Sequence, residues 1–98
     1  MHGRRRYLYC YDITDPKRLR LVHRLASGAG DRVQFSVYEC QLTETEQVHL
    51  DESLRRTLNL QQDRLLIVDL GPVSTDQERR FRTMGIPWEP KDRAIIVV

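Results

Sequence analysis

A chain of 98 residues with a net charge of +2 is long enough for one domain with one modest core, and too short for a two-lobed catalytic cleft, so a sizeable active site calls for a second copy of the chain. Fourteen of the sixteen basic residues are arginine, whose planar guanidinium makes bidentate contacts to phosphate; a GC-rich genome enriches arginine as well, and composition leaves the two explanations level. The longest apolar runs, Leu65 to Val68 and Ala94 to Val98, fall far short of a membrane span, and the stretch behind Arg4-Arg5-Arg6 is too short and polar for a signal-peptide core, so the expectation is a cytoplasmic protein with no membrane partner, its Cys10 and Cys40 reduced.

The first predicted element is a strand, Tyr7-Leu8-Tyr9-Cys10-Tyr11-Asp12-Ile13, in which tyrosines alternate with Leu8 and Cys10 at period two. It ends in Asp12, directly before the helix-start signal Thr14-Asp15-Pro16. Such connections display catalytic and ligand groups, and an aspartate there also serves as a turn residue or cap. The helix that follows runs to about Ser27, with Gly28 and Gly30 ending it. Leu19, Val22, Leu25 and Ala26 form its buried stripe, while Lys17, Arg20 and Arg24 share the opposite face, which is either a plain solvated surface or one that faces phosphate. His23 is expected to face solvent.

Asp31 to Leu42 has strand character throughout and reads as one long strand or as two short ones broken near Gln34 to Ser36. Thr43-Glu44-Thr45-Glu46 is a capping box that opens a second helix to about Leu58, with Leu50, Leu54 and Leu58 on its core side and Asp51–Arg55 and Glu52–Arg56 as surface ion pairs. Asn59 to Asp63 is a loop, and Arg64 to Leu70 is a near-continuous apolar run that predicts an interior strand, stopped by Gly71-Pro72. Asp76 to Arg82 is weakly helical, Gly85 to Pro90 irregular with Trp88 packed on the chain's own surface, and Ala94 to Val98 a last strand. The cysteine spacing matches no zinc motif, and His2, His23 and His49 form no ligand cluster. With two strands in the middle, the order is that of an α+β, ferredoxin-like βαββαβ sandwich with an additional C-terminal strand, one domain over residues 1–98 with its core at 7–70. Two helices would cover one sheet face and leave the other for a partner.

Tyr11-Asp12-Ile13, the string Asp31-Arg32-Val33-Gln34-Phe35-Ser36-Val37-Tyr38-Glu39-Cys40, and Asp63-Arg64-Leu65-Leu66-Ile67 together resemble the CRISPR-associated protein two family, over residues 7–70. The resemblance implies a ferredoxin-like homodimer that packs through its bare sheet faces, and it favours splitting the middle stretch in two. It implies that Asp12 of each copy faces its twin, binds Mg²⁺ and is the catalytic carboxylate of an endonuclease acting on RNA or double-stranded DNA. It also implies a role in spacer acquisition, in which the homodimer bridges a CRISPR integrase subunit and binds duplex DNA. By the same resemblance Arg32, Arg18 and Arg20 join Arg24 as expected nucleic-acid contacts, and Tyr9, Tyr11 and Tyr38 are expected at the dimer interface. Parity raises a condition. In an unbroken strand Asp12 lies on the face of Leu8 and Cys10, so the strand must end or twist near Tyr11 for Asp12 to join the tyrosines. The rival readings are a stand-alone metal-dependent ribonuclease of the virulence-associated toxin type and an RNA-recognition domain, the latter lacking its Lys/Arg-Gly-Phe strand pattern.

Overall fold

A computed structural model describes residues 3–73 and 82–88. The elements are β1 (Arg5–Asp12), α1 (Pro16–Ala29), β2 (Gly30–Gln34), β3 (Val37–Leu42), α2 (Glu44–Thr57) and β4 (Arg64–Pro72). They form one antiparallel sheet in the order β2-β3-β1-β4. This is the expected ferredoxin-like βαββαβ sandwich, and the middle stretch is two strands joined by a turn at Phe35 and Ser36. The expected weak helix and the terminal strand over 94–98 fall mainly outside the described residues. None of the described helices is long and apolar enough to cross a membrane.

Local signals set the element ends. Asp15 caps α1 by accepting the Arg18 N–H at 2.8 Å, and Pro16 occupies the first turn. The capping box of α2 is complete: Thr43 Oγ1 accepts the Glu46 N–H at 3.2 Å, and Glu46 Oε1 accepts the Thr43 N–H at 2.9 Å. Helix α1 runs on through Gly28 and closes at Gly30, whose N–H reaches the Ala26 carbonyl.

Both helices pack on the face formed by Tyr7, Tyr9 and Tyr11 of β1 and Tyr38, Cys40 and Leu42 of β3. Val22, Ala26, Leu50 and Leu54 come down from the helices to meet them. Three buried phenols each find a polar group on a helix. Tyr9 donates to Asp51 Oδ1 at 2.6 Å, Tyr38 meets Ser27 Oγ at 3.3 Å, and Tyr11 meets His23 Nδ1. A buried hydroxyl without a partner is costly, so these contacts explain why tyrosine suits this core. They also hold Asp51 on Tyr9 and Gln47 rather than in the expected pair with Arg55.

Three expectations are corrected here. Tyr9 (1% exposed), Tyr11 (6%) and Tyr38 (4%) are not a surface for a second copy but the chain's own core under the helices. Among the described residues the strand β4 is an edge and not interior: it pairs with β1 alone, and Leu66 and Ile67 are exposed. Nor does Gly71-Pro72 stop the strand. Gly71, at φ +98°, sits beside an extra residue in the ladder, after which Arg6 pairs with Gly71 and Arg5 with Pro72.

Candidate functional site

The helix-free face of the sheet follows from strand parity. On β1 it carries Arg6, Leu8, Cys10 and Asp12, and the register adds Val37 and Glu39 from β3 and Arg64, Leu66 and Val68 from β4. The strand needs no twist near Tyr11, because the open face is that of Leu8 and Cys10. Asp12 ends β1 on that face, exposed, with no hydrogen bond or ion pair to its carboxylate among the described residues. Cys10 is half-buried there with burial raising its thiol pKa, while Cys40 is buried on the opposite face.

Directly opposite Asp12 in the ladder stands Arg64, the first residue of β4, also exposed and also without a side-chain partner among the described residues. The loop that delivers it is tightly closed. Asp63 Oδ2 accepts the Asn59 N–H at 2.8 Å, and the Asp63 N–H returns to the Asn59 carbonyl at 2.8 Å. The Asp63 carboxylate, whose side chain is fully shielded, takes Nε of Arg18 at 2.8 Å and Nη2 at 3.2 Å. The same guanidinium lies 3.9 Å from the Asp15 cap and donates to Gln62 Oε1 at 3.2 Å. The Arg18 hydrogen bond, followed by that from Asn59, holds the Asp63 carboxyl below the usual carboxylate range. Arg18 thus ties the β1–α1 connection to the α2–β4 connection. Arg18, expected as a phosphate contact, has its guanidinium engaged within the chain.

The other expected contacts sit elsewhere. Arg20 and Arg24 are exposed on α1 beside Lys17, with no side-chain partner among the described residues. Arg32, on the edge strand β2, lies over the Phe35 ring at 5.1 Å and donates to the Phe35 carbonyl at 3.4 Å. Trp88 packs on its own chain as expected, its indole N–H donating to the Arg32 carbonyl at 2.6 Å. His23 does not face solvent. It contacts Tyr11, Phe35 and Tyr38, with ring centroids at 5.4, 5.0 and 6.2 Å. Burial and then Arg32 lower its pKa. Its spacing with Leu19, Val22 and Ala26 already placed it on the buried stripe. Sequence reasoning also passed over Arg64, whose signal was a charged residue opening the strand that must pair with the end of β1.

No group of three or more His, Cys, Asp or Glu side chains is placed to hold a metal among the described residues. A carboxylate that is exposed and without a partner among the described residues is the kind of oxygen ligand a hard cation such as Mg²⁺ takes, the ion keeping several waters.

The family model for CRISPR-associated protein Cas2 matches residues 5–78. A protein named CRISPR-associated endonuclease Cas2 2, of Thermus thermophilus, is 43% identical over 96 residues, 98% of this chain and 99% of its own length. The CRISPR-associated endoribonuclease Cas2 1 of Rhodospirillum rubrum is 32% identical over 92 residues, 94% of this chain and 89% of its own. Among solved structures, Streptococcus pyogenes Cas2 is similar with a TM-score of 0.69 at 32% identity, covering 82% of this chain and 99% of that one. A hypothetical protein of Thermus thermophilus is similar with a TM-score of 0.75 at 36% identity, covering 91% of this chain and 100% of that one.

Proposed function

The chain belongs to the CRISPR-associated Cas2 family, and from that premise we propose that it is a subunit of CRISPR spacer acquisition: a homodimer that bridges an integrase subunit and binds duplex DNA, with a Mg²⁺-dependent endonuclease site for RNA or DNA at Asp12. The observation that carries the endonuclease part is the position of Asp12, a carboxylate without a partner among the described residues, ending β1 on the sheet face opposite α1 and α2. On that face a second copy of the same surface would bring a second Asp12 alongside. Two close carboxylates repel one another, and a divalent cation relieves the repulsion.

Asp12 of each copy would hold the cation, which when bound supplies polarisation of a phosphodiester and a more acidic water. The chain's own residues do the rest. Arg20, Arg24 and Lys17 give α1 a cationic face for the nucleic-acid backbone, and Arg32 adds a guanidinium braced on Phe35. Arg18 holds the two connections beside Asp12 in fixed relation through Asp63 and Asp15. His23, on the opposite side of β1 and occupied with Tyr11, is not placed to serve Asp12 as a base.

The test is cleavage of labelled RNA and duplex DNA with Mg²⁺ and with EDTA, by the wild type and Asp12→Ala. The expected result is a loss of about 100-fold or more in Asp12→Ala, with dimer and DNA binding unchanged. Equal cleavage by both proteins, or a variant that dissociates, overturns the assignment. The names of the relatives as endoribonucleases favour a second reading, a stand-alone ribonuclease. Co-purification with a CRISPR integrase subunit separates that reading from a spacer-acquisition subunit.

A further inference from the structure

We propose that Arg64 is a phosphate-binding residue that seats the nucleic-acid backbone beside Asp12, an inference that deepens the reading of Asp12 above and rests on it for the cleavage it expects. Four observations converge on Arg64. It is the register partner of Asp12 across the β1–β4 ladder, so both side chains leave the same helix-free face. Residues directly opposite in an antiparallel pair have Cβ atoms about 5 Å apart, within reach of one phosphodiester. Both side chains are exposed, yet no ion pair closes between them. The neighbouring sheet arginines behave differently: Arg5 lies 3.0 Å from Asp69, and Arg6 lies 3.3 Å from Glu39.

The fourth observation is rigidity. Asp63 is fixed by Asn59 and by the bidentate Arg18, and Arg18 also approaches Asp15. The backbone on which Arg64 stands, and that on which Asp12 stands, are therefore held by one half-buried guanidinium. A binding residue on a strand with a locked second layer is placed more accurately than one on a free loop.

The energetics favour a phosphate over the bland alternative of a surface ion pair. An exposed Asp–Arg pair is worth about 0–1 kcal/mol, so exchanging Asp12 for a phosphate sacrifices little. A guanidinium that meets phosphate through two parallel N–H bonds gains a stronger, directional contact. A phosphodiester approaching a bare carboxylate is repelled, and the cation that the ladder puts opposite Asp12 is the one placed to offset that repulsion.

The experiment compares wild type, Arg64→Ala, Arg64→Gln and Arg64→Lys in two assays, with circular dichroism and light scattering as checks of fold and assembly. In EDTA, binding of a fluorescent single-stranded RNA and a duplex DNA is measured against salt. Arg64→Ala and Arg64→Gln are expected to lose affinity several-fold, and the slope of log K on log salt should fall by about 0.9 per chain on the duplex and about 0.7 on the single strand, while Arg64→Lys restores the slope. In Mg²⁺ at saturating nucleic acid, both neutral variants should lose cleavage by about 100-fold, and Arg64→Lys should recover only part, because a point charge lacks the fork. Unchanged affinity and slope in Arg64→Ala overturn the proposal. So does loss of fold or assembly in both neutral variants, which would make Arg64 a structural residue. A wild type that does not cleave, with the slope change still present, removes the nuclease reading and leaves the phosphate site standing.

Discussion

His23 is where a single side chain reports most directly on folding. Its ring lies among Tyr11, Phe35 and Tyr38, its Nδ1 meets the Tyr11 hydroxyl, and its Nε2 is buried with no hydrogen-bond partner among the described residues. A second proton would bring a charge into this apolar cluster beside Arg32, which is why burial first, and Arg32 second, lower its pKa. The unfolded chain then takes up that proton before the folded one as pH falls. Stability is complete above the ordinary histidine pKa of about 6.5 and declines below it. Glu46, Asp63 and Asp69, whose pKa values are also lowered, contribute in a separate window: their stability is present above the ordinary carboxylate pKa of about 4 and is lost only as pH falls below it. Thermal midpoints measured from pH 7 to 5.5 should therefore fall in the wild type. His23→Gln should flatten that slope and leave the acid limb in place; an unchanged slope would assign the effect to another group. The same residue shows what single-sequence reading loses. Its spacing on α1 fitted the core stripe, but a histidine is polar enough to be read as surface until the Tyr11 phenol opposite it is known.

At the scale of the element, β1 was legible in type and length and misread in orientation. Period two shows that the tyrosines share one face and Leu8, Cys10 and Asp12 the other, but both sets suit a half-buried sheet, so alternation alone does not say which face meets the helices. The phenols settle it by finding Asp51, His23 and Ser27 on α2 and α1. Strand β4 differs from its reading for a related reason: an apolar run looks interior, yet among the described residues its ladder partner lies on one side only. The caps of both helices, by contrast, were local signals: of Thr14 and Asp15, both able to cap α1, Asp15 does so, and Thr43 caps α2 as expected. Gly30 marks where local signal gives way to packing. It was read as a helix stop, and it is one, but a Cβ there would stand 2.3 Å from the Glu39 carbonyl oxygen and 2.5 Å from Cys40 Sγ. The β2–β3 ladder closes only over a bare Cα. Gly30→Ala should thus cost about 1–3 kcal/mol by overpacking. Gly28→Ala, in open space on α1, should gain about 0.5 kcal/mol. Urea midpoints of the two variants check the pair, and equal shifts would show that the close approach at Gly30 relaxes freely.

At the scale of the whole molecule, the two faces of one sheet have different fates. One is sealed by α1 and α2 over Tyr9, Val22, Cys40 and Leu54, none more than 1% exposed. The other presents Leu8, Cys10, Val37, Val68 and an exposed Leu66 around Asp12 and Arg64. Leu66 is the register partner of Cys10, one step along the ladder's same face from the Asp12–Arg64 pair. Whatever covers Leu66 therefore also decides what Asp12 faces, and in the dimer proposed above it is the same surface of a second chain, which makes assembly and site one question. Leu66→Lys leaves the sealed core untouched and puts a charge at the centre of the open face, and a buried unpaired charge opposes association strongly. The variant should run as a monomer by light scattering with an unchanged far-ultraviolet spectrum. Its thermal midpoint should no longer rise with protein concentration, as that of the wild type should, since association stabilises by mass action. Metal-dependent cleavage should fall with it, because each chain then keeps a lone Asp12. A Leu66→Lys protein that remains dimeric would place the dimer contact on another surface and separate assembly from the Asp12 site.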